Sequence, residues 1–402
     1  MTRPWLTIVG IGEDGVAGLS SAARAAVEGA EVIVGGDRHH TLAPDLKARR
    51  LAWPSPFDAM IDTLKEHRGR RIVVLATGDP LWYSVGARIA RAIPSGEIEF
   101  HPQLSAFQWA AARMGWSLAD VETLTAHGRP AEQIVPWFWP GARLIVLTAG
   151  AETPGQIARL LVRRGYGTSR LTVLANLGGP EEERLDGRAD DWAAGGPAIP
   201  PFHTLAVECA GNPDPLIPRG PGLPDEAFVH DGKMTKREVR ALTLARLMPV
   251  RGALLWDLGT GCGSVAIEWM RAARDARAIG IDQNPARLEM ARRNAHALGV
   301  PKLELRLGTA PGALRSLPQP DAVFVGGAIT EAIAEAALAA LPPLGRLVAN
   351  AVTLESEGVL LDLRAAHGGD LTRVSVQRAE AIGTRTGWRP AMPVIQWSLV
   401  KR

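Results

Sequence analysis

The sequence predicts an α/β protein folded as two domains, and three observations carry that expectation. At 402 residues the chain exceeds what one ordinary hydrophobic core organises. Five residues between Gly211 and Pro224 are prolines, which neither pair inside a sheet nor continue a helix. That stretch predicts a semi-rigid linker, 211–224, between domains 1–210 and 225–402. On both sides of it, short apolar runs alternate with helical stretches, the pattern of parallel strands joined by crossover helices.

In the first half the strand candidates are Leu6–Val9, Val32–Val34, Ile72–Ala76, Leu144–Leu147 and Leu171–Leu174, with helices such as Ser20–Glu28 and Gln156–Arg164 between them. In the second half they are Leu254–Leu258, Ala278–Ile281, Leu303–Leu307, Ala322–Val325 and Arg346–Ala349. Asn284-Pro285 makes a cap and first-turn pair for a helix over Pro285–Leu298. Its apolar stripe is Leu288, Ala291, Ala295 and Leu298, and Gly299 ends it. The second half reads as a doubly wound fold with a glycine loop at the tip of its first strand. No short-period repeat is visible, which argues against a solenoid.

That loop is Asp257-Leu258-Gly259-Thr260-Gly261-Cys262-Gly263-Ser264. A glycine loop lets backbone approach a ligand closely, and an acid at the next strand tip, Asp282, accepts both hydroxyls of a ribose. The pair describes a nucleoside site. The dinucleotide fingerprint wants a glycine at position 264, which is Ser. The G-x-G-x-G present is the spacing of S-adenosyl-L-methionine-dependent methyltransferases.

In the first half Gly10-Ile11-Gly12-Glu13-Asp14-Gly15 fits G-x-G-x-x-G, with Glu31 and Asp37 downstream. Alone it points to a second nucleotide fold and an NAD(P)-dependent oxidoreductase, although such turns are common for steric reasons. Three more segments lie beside strands or helices: Ala76-Thr77-Gly78-Asp79-Pro80-Leu81-Trp82-Tyr83, His101-Pro102-Gln103-Leu104-Ser105-Ala106-Phe107 and Asn176-Leu177-Gly178-Gly179. Together these segments resemble the tetrapyrrole methylase family across most of residues 5–207, which implies an α/β domain of two subdomains with a cleft. Glu13-Asp14 stands where many relatives carry Pro and Gly, and Gln103-Leu104 where relatives have a tighter glycine turn.

The second half resembles the decarboxylating precorrin methyltransferases, which implies a class I Rossmann-like methyltransferase. The carrying residues are Met234-Thr235-Lys236-Arg237-Glu238-Val239-Arg240, the glycine loop, Gly308-Thr309-Ala310-Pro311-Gly312, Phe324-Val325-Gly326-Gly327 and Ala349-Asn350-Ala351-Val352-Thr353-Leu354-Glu355. Both halves in this order resemble the fused precorrin methyltransferases of cobalamin biosynthesis. The resemblance implies C5 methylation by the first half, and C15 methylation with decarboxylation of the C12 acetate by the second, on a precorrin-6 tetrapyrrole.

It also implies one S-adenosyl-L-methionine site per domain. In the second, Gly259, Thr260, Gly261, Cys262 and Gly263 would pass under the cofactor and Asp282 would hold its ribose. Ala310 would leave room for the adenine, where a plain loop alanine also fits. Thr235 would hydrogen-bond the cofactor, a role compatible with capping the next helix. In the first domain Gly12, Thr77, Gly78, Asp79, Ser105 and Ala106 would line the pocket. Asp79-Pro80 is also an ordinary turn pair, and Asp37 is either a functional carboxylate or a helix cap. Methyl transfer to an electron-rich carbon needs alignment more than acid–base help, so no catalytic triad is expected. Arg38, His39, His40, Arg385 and Arg389 are candidates to bind substrate carboxylates. Adjacent histidines diverge, so His39-His40 is not expected to hold a metal. Trp109, Trp116, Trp137 and Trp139 read as packing residues.

Bulk properties bound the rest. Lys plus Arg total 45 against 42 Asp plus Glu, a net charge of +3, which gives no strong pull toward nucleic acid. Cys209 and Cys262 are far apart, against a disulfide framework and for a reducing cytoplasm. No apolar run approaches the roughly 18 residues of a membrane span, and the N-terminus does not read as a signal peptide. Homo-oligomerisation is expected from the resemblance. The competing readings are a methyltransferase acting on RNA or another small molecule, the oxidoreductase above, and a carrier without turnover.

Overall fold

The computed structural model describes residues 4–54 and 59–402. They form two compact units, residues 1–129 with 140–212, and residues 130–139 with 213–402.

The first unit contains two sheets. Strands β1 (Leu6–Ile11), β2 (Val32–Gly35), β3 (Arg49–Ala52), β4 (Ile72–Thr77) and β5 (Ile98–His101) form a parallel sheet in the order β3-β2-β4-β1-β5. Helices α1 (Ser21–Glu28), α2 (Asp37–Thr41), α3 (Ala59–Glu66) and α4 (Val85–Ala92) make its connections, and α5 (Ala106–Met114) follows β5. Leu6, Ile8, Val32, Val34 and Val74 pack into one cluster, and Val9, Ile11, Ile33, Val73 and Leu75 into another. Central strands buried on both faces read as unbroken apolar runs, which is why the sequence showed them.

Strands β6 (Glu122–Thr125), β7 (Arg143–Leu147), β8 (Arg170–Ala175), β9 (Glu183–Arg188) and β10 (His203–Glu208), with α6 (Thr153–Arg163) and α7 (Ala189–Gly195), build the second sheet, ordered β6-β7-β10-β8-β9. Here the expectation of parallel strands is corrected. Only β6 and β7 run parallel, and the β7–β10, β10–β8 and β8–β9 pairs are antiparallel. A short connection joins β8 to β9, and an antiparallel pair needs no crossover helix.

The second unit is built on β11 (Leu254–Leu258), β12 (Arg277–Asp282), β13 (Glu304–Leu307), β14 (Ala322–Val325) and β15 (Arg346–Ala351), all parallel. Helices α8 (Arg237–Leu247), α9 (Ser264–Ala272), α10 (Pro285–Ala297), α11 (Glu331–Ala340) and α12 (Leu354–His367) accompany them. After β16 (Asp370–Val374), a hairpin of β17 (Gln377–Ile382) and β18 (Arg385–Pro390) leads to β19 (Val394–Val400). Strand β19 is antiparallel to β15 and β16, giving the order β13-β12-β11-β14-β15-β19-β16. Asn284 caps α10 through the Ala286 N–H, and Gly299, just past its end, has φ +81°.

Residues 213–224, expected as a spacer, are held inside this unit. The fully buried Arg240 guanidinium meets Glu268 at 2.6 Å and Asp225 at 3.0 Å and also donates to the Leu223 carbonyl. Glu268, equally buried, accepts the backbone N–H groups of Gly222 and Leu223 at 2.6 and 3.0 Å. Arg271 donates to the carbonyls of Ile217 and Pro218 at 3.0 Å. Residues 130–139 belong here too. Arg219 and Arg274 hold their guanidinium groups 3.8 and 5.3 Å from the Trp137 ring centroid. Among the described residues no helix is long and apolar enough to cross a membrane.

Candidate functional site

In the second unit the glycine loop leaves β11 at its C-terminal end, where parallel sheets bind ligands. Gly259 and Gly261 adopt φ +73° and +57°, and a Cβ at Gly259 would point into open space. Gly263, at φ +82°, has a second reason to be glycine, because a Cβ there would lie 3.0 Å from that of Ala291. Asp282 is oriented by the loop itself: one carboxylate oxygen accepts the Gly261 N–H at 3.0 Å and the other the Asn284 N–H at 2.9 Å. Asn294, buried on α10, donates to the Cys262 carbonyl at 2.9 Å and pairs with both backbone groups of Val229. It links the loop to the segment leading to Thr235. The Gly308 N–H donates to the Asp282 carbonyl at 3.1 Å, bringing the Ala310 loop alongside, and Gly326 N–H donates to Leu258 at 2.9 Å.

Asp257 is 1% exposed. One oxygen accepts the Thr260 hydroxyl at 2.8 Å and the Ala266 N–H at 3.1 Å, while the other has no partner. Burial pushes its carboxyl up to about 6, against the pull of those two hydrogen bonds. Burial also pushes the Cys262 thiol up, so this cysteine sits in the loop as a neutral packing group.

In the first unit the ends of β1, β4 and β5 converge. The Gly78 N–H donates to Ile11 at 3.1 Å, and a Cβ on Gly78 would fall 2.7 Å from the Ser105 Cα. A Cβ on Gly10 would fall 2.0 Å from the Gly78 carbonyl oxygen. Ser105 caps α5 through the Phe107 N–H at 3.2 Å, with Ala106 opening the helix. The Asp79 carboxylate accepts the Leu81 N–H at 2.7 Å and fixes the turn. Burial pushes His39 down to about 4, with the Arg38 and His40 charges adding to it. Its Nδ1 accepts the Gly36 N–H at 3.1 Å, so Nε2 carries the proton and donates to the Thr77 hydroxyl at 3.0 Å. Arg38 pairs with Glu13, and its guanidinium lies 3.8 Å from the Phe202 ring centroid. Burial pushes Arg38 down to about 10.

Two family profiles cover most of the chain: Tetrapyrrole (Corrin/Porphyrin) Methylases over residues 5–193 and Precorrin methyltransferase domain over 226–401. A Sinorhizobium protein named precorrin-6Y C(5,15)-methyltransferase [decarboxylating] is 47% identical over 404 residues, spanning 100% of this chain and 97% of its own. The chain belongs to the precorrin-6Y C5,15-methyltransferase (decarboxylating) family. Two shorter relatives match parts of it. A cobalt-precorrin-7 C(5)-methyltransferase of Salmonella typhimurium is 32% identical over 45% of this chain and 88% of its own. A probable cobalt-precorrin-6B C(15)-methyltransferase (decarboxylating) of Pyrobaculum calidifontis is 36% identical over 43% and 93%.

As a member of this family the protein is a methyltransferase that uses S-adenosyl-L-methionine. The second unit's loop fits that cofactor: its backbone is open above Gly259, and Asp282 is already aimed by two backbone donors. The structure gathers Gly259, Thr260, Gly261, Cys262, Gly263, Asp282 and the Ala310 loop around one strand end, and Gly12, Thr77, Gly78, Asp79, Ser105 and Ala106 around another. Thr235 does not cap its helix, because α8 starts at Arg237 after Lys236. The Thr235 carbonyl instead accepts Arg240 at 2.6 Å. Asp37 lies inside α2, whose cap is Gly36. The G-x-G-x-x-G at Gly10 opens onto a 3₁₀ turn over Gly15–Gly18 rather than a helix, unlike a dinucleotide fold. Arg385 and Arg389 sit on the β17–β18 hairpin, with Arg389 paired to Glu380 at 3.0 Å. No group of His, Cys, Asp and Glu suited to a metal occurs among the described residues. Trp109, on α5, and Trp116, just past its end, pack against the core, whereas Trp139 is exposed. Sequence reasoning passed over Asn294 and Trp82. The first is hidden in a polar helix, while Trp82 follows the Gly78-Asp79-Pro80 turn and was visible there.

Proposed function

We propose that this enzyme methylates a precorrin-6 macrocycle at C5 in its first unit. In its second unit it methylates C15 and releases the C12 acetate carboxyl as carbon dioxide, with one S-adenosyl-L-methionine site in each. The observation that carries this reading is the full-length match to a relative named for both methylations and the decarboxylation, with the two family profiles in series.

Bound S-adenosyl-L-methionine supplies an electrophilic methyl group. Asp282 would take the ribose hydroxyls, and the amides of the glycine loop and the start of α9 would face the methionine carboxylate. Gly12, Thr77, Gly78, Asp79, Ser105 and Ala106 would line the cofactor pocket of the first unit. The protein's main contribution is alignment of donor and acceptor carbons. In the decarboxylation the C–C bonding pair passes into the conjugated macrocycle, and a proton then takes the place of carbon dioxide. The residues that desolvate that carboxylate belong to the second unit. The setting is cytoplasmic, consistent with two cysteines that are both buried thiols, and the enzyme self-associates as its family resemblance implies.

The test is the mass of the product formed from reduced precorrin-6 and S-adenosyl-L-methionine by the full chain and two variants. The full chain adds two methyl groups and loses carbon dioxide. Asp282→Ala adds only the C5 methyl, and Asp79→Ala only the C15 methyl with loss of carbon dioxide. An unchanged mass with the parent enzyme overturns the substrate. Equal loss of both methylations in either variant overturns the division.

A further inference from the structure

The loop after the Thr77-Gly78-Asp79 turn presents an exposed, rigidly held aromatic surface. Trp82 is 48% exposed and Tyr83 40%, and Leu81 before them is half-exposed. Solvent would ordinarily drive such side chains inward, so three successive exposed apolar residues, Leu81, Trp82 and Tyr83, directly after the Asp79 turn call for an occupant.

This loop is not loose. Asp79 binds the N–H of Leu81 through its side chain at 2.7 Å and that of Trp82 through its carbonyl at 3.3 Å. Gly86 lets α4 close onto Pro80, where a Cβ would meet the carbonyl oxygen at 2.5 Å. The Tyr83 hydroxyl donates to the Thr123 carbonyl at 3.1 Å, tying the loop to the second sheet of the unit. Tyr83 has φ +53°, a left-handed conformation that is costly for a bulky side chain and persists only where the surroundings impose it. That backbone turn keeps Trp82 outward. The Trp82 and Tyr83 rings rest on Phe107 at centroid distances of 6.1 and 5.9 Å. The Arg129 guanidinium lies 5.7 Å from the Tyr83 ring, putting a positive charge beside the patch.

We propose that Trp82 is a substrate-positioning platform of the first unit: it packs against an apolar face of the polyacidic macrocycle, and Arg129 takes one of its peripheral carboxylates. The loop is apolar and pinned by hydrogen bonds, the Arg129 charge beside Tyr83 complements an acidic ligand, and the chain passes directly from the Thr77-Gly78-Asp79 turn into it. The inference rests on the proposed C5 activity of this unit.

The experiment measures KM for reduced precorrin-6 in C5 methylation by the full chain at saturating S-adenosyl-L-methionine, with the C15 reaction as internal control. Trp82→Ala is expected to raise this KM about tenfold or more, as loss of one stacked aromatic does. C15 methylation and the cofactor's Kd in the first unit stay at parent values. Trp82→Phe recovers most of the loss, and Arg129→Gln raises KM while weakening its dependence on salt. An unchanged KM in Trp82→Ala overturns the platform. A raised cofactor Kd with unchanged KM assigns the ring to adenine, and a changed oligomeric mass with unchanged KM assigns the patch to self-association; both overturn it. Should Asp79→Ala leave C5 methylation intact, the parent reading of the unit fails. With C5 methylation lost there and Trp82→Ala unaltered, only the platform fails.

Discussion

The Gly261 backbone N–H donates to the Asp282 carboxylate at 3.0 Å, so the glycine loop also aims the acid that we propose holds the cofactor's ribose. The two residues lie on successive strand–helix connections, and the parallel pairing of β11 with β12 brings them together. Because the Asn284 N–H occupies the other carboxylate oxygen at 2.9 Å, both oxygens are fixed before any ligand arrives. Preorganisation of this kind lowers the ordering cost of binding.

Asp282→Ala therefore removes two charge-assisted contacts and the brace on Gly261. Cofactor affinity of the second unit is expected to fall on the order of a hundredfold or more. Asp282→Asn, which keeps one acceptor oxygen, falls between. Titration calorimetry with S-adenosylhomocysteine checks this directly, because one of two binding events should vanish while the other keeps its affinity.

Asp257 gives a pH dependence whose sign is fixed by its surroundings. Its carboxyl is raised from an ordinary 3.8 to about 6 in the folded state. Between those values the folded state binds more protons than the unfolded one, so this residue makes stability fall as pH rises through about 4 to 6. Asp257→Asn should remove that contribution and flatten this part of the melting temperature profile. Profiles of parent and variant that remain parallel from pH 4 to pH 7 would count against it.

The strands buried on both faces were legible because burial wrote itself as apolar runs: Leu254–Leu258 and Ala322–Val325 appear with the bounds that the sequence suggested. Asp282 was legible for a related reason, since a charged residue ending such a run has to sit at a strand tip. Strand direction was not legible. Nothing in Leu171–Leu174 distinguishes a parallel neighbour from an antiparallel one, and β9, Glu-Arg-Leu-Asp-Gly-Arg, carries no apolar run at all. The proline-rich stretch was visible as a break, but its anchors, Arg240, Glu268 and Arg271, look like ordinary helix charges until α8 and α9 pack together. In the candidate sites, glycines and carboxylates were visible because their chemistry is local. The Asn294 bonds to Val229 and Cys262, and the outward placement of Trp82, depend on contacts between distant segments.

Arg240 is the hub of those anchors. Removing it leaves the Glu268 carboxylate buried without a counter-charge and frees the Thr235 and Leu223 carbonyls. Arg240→Ala should cost about 3–5 kcal/mol of second-unit stability. In denaturant titrations of the full chain, with cofactor bound and absent, only the second unit's transition should move. A coincident shift of both transitions would mean that the units do not unfold separately.

Gly299 tests the seating of residues 130–139. Its φ is +81°, and a Cβ there would stand 2.4 Å from the Pro136 Cδ and 2.8 Å from the Glu132 carbonyl oxygen. The position therefore rejects a side chain twice, through backbone conformation and through space. Gly299→Ala should destabilise the protein by about 2 kcal/mol or more. Pro136→Ala removes the ring that the added methyl would strike, so the double variant should recover the ring's part of the steric loss and keep the Glu132 carbonyl clash and the conformational share. Denaturation midpoints for the two single variants and the double variant separate these shares. Strictly additive effects would mean that Gly299 and Pro136 do not meet.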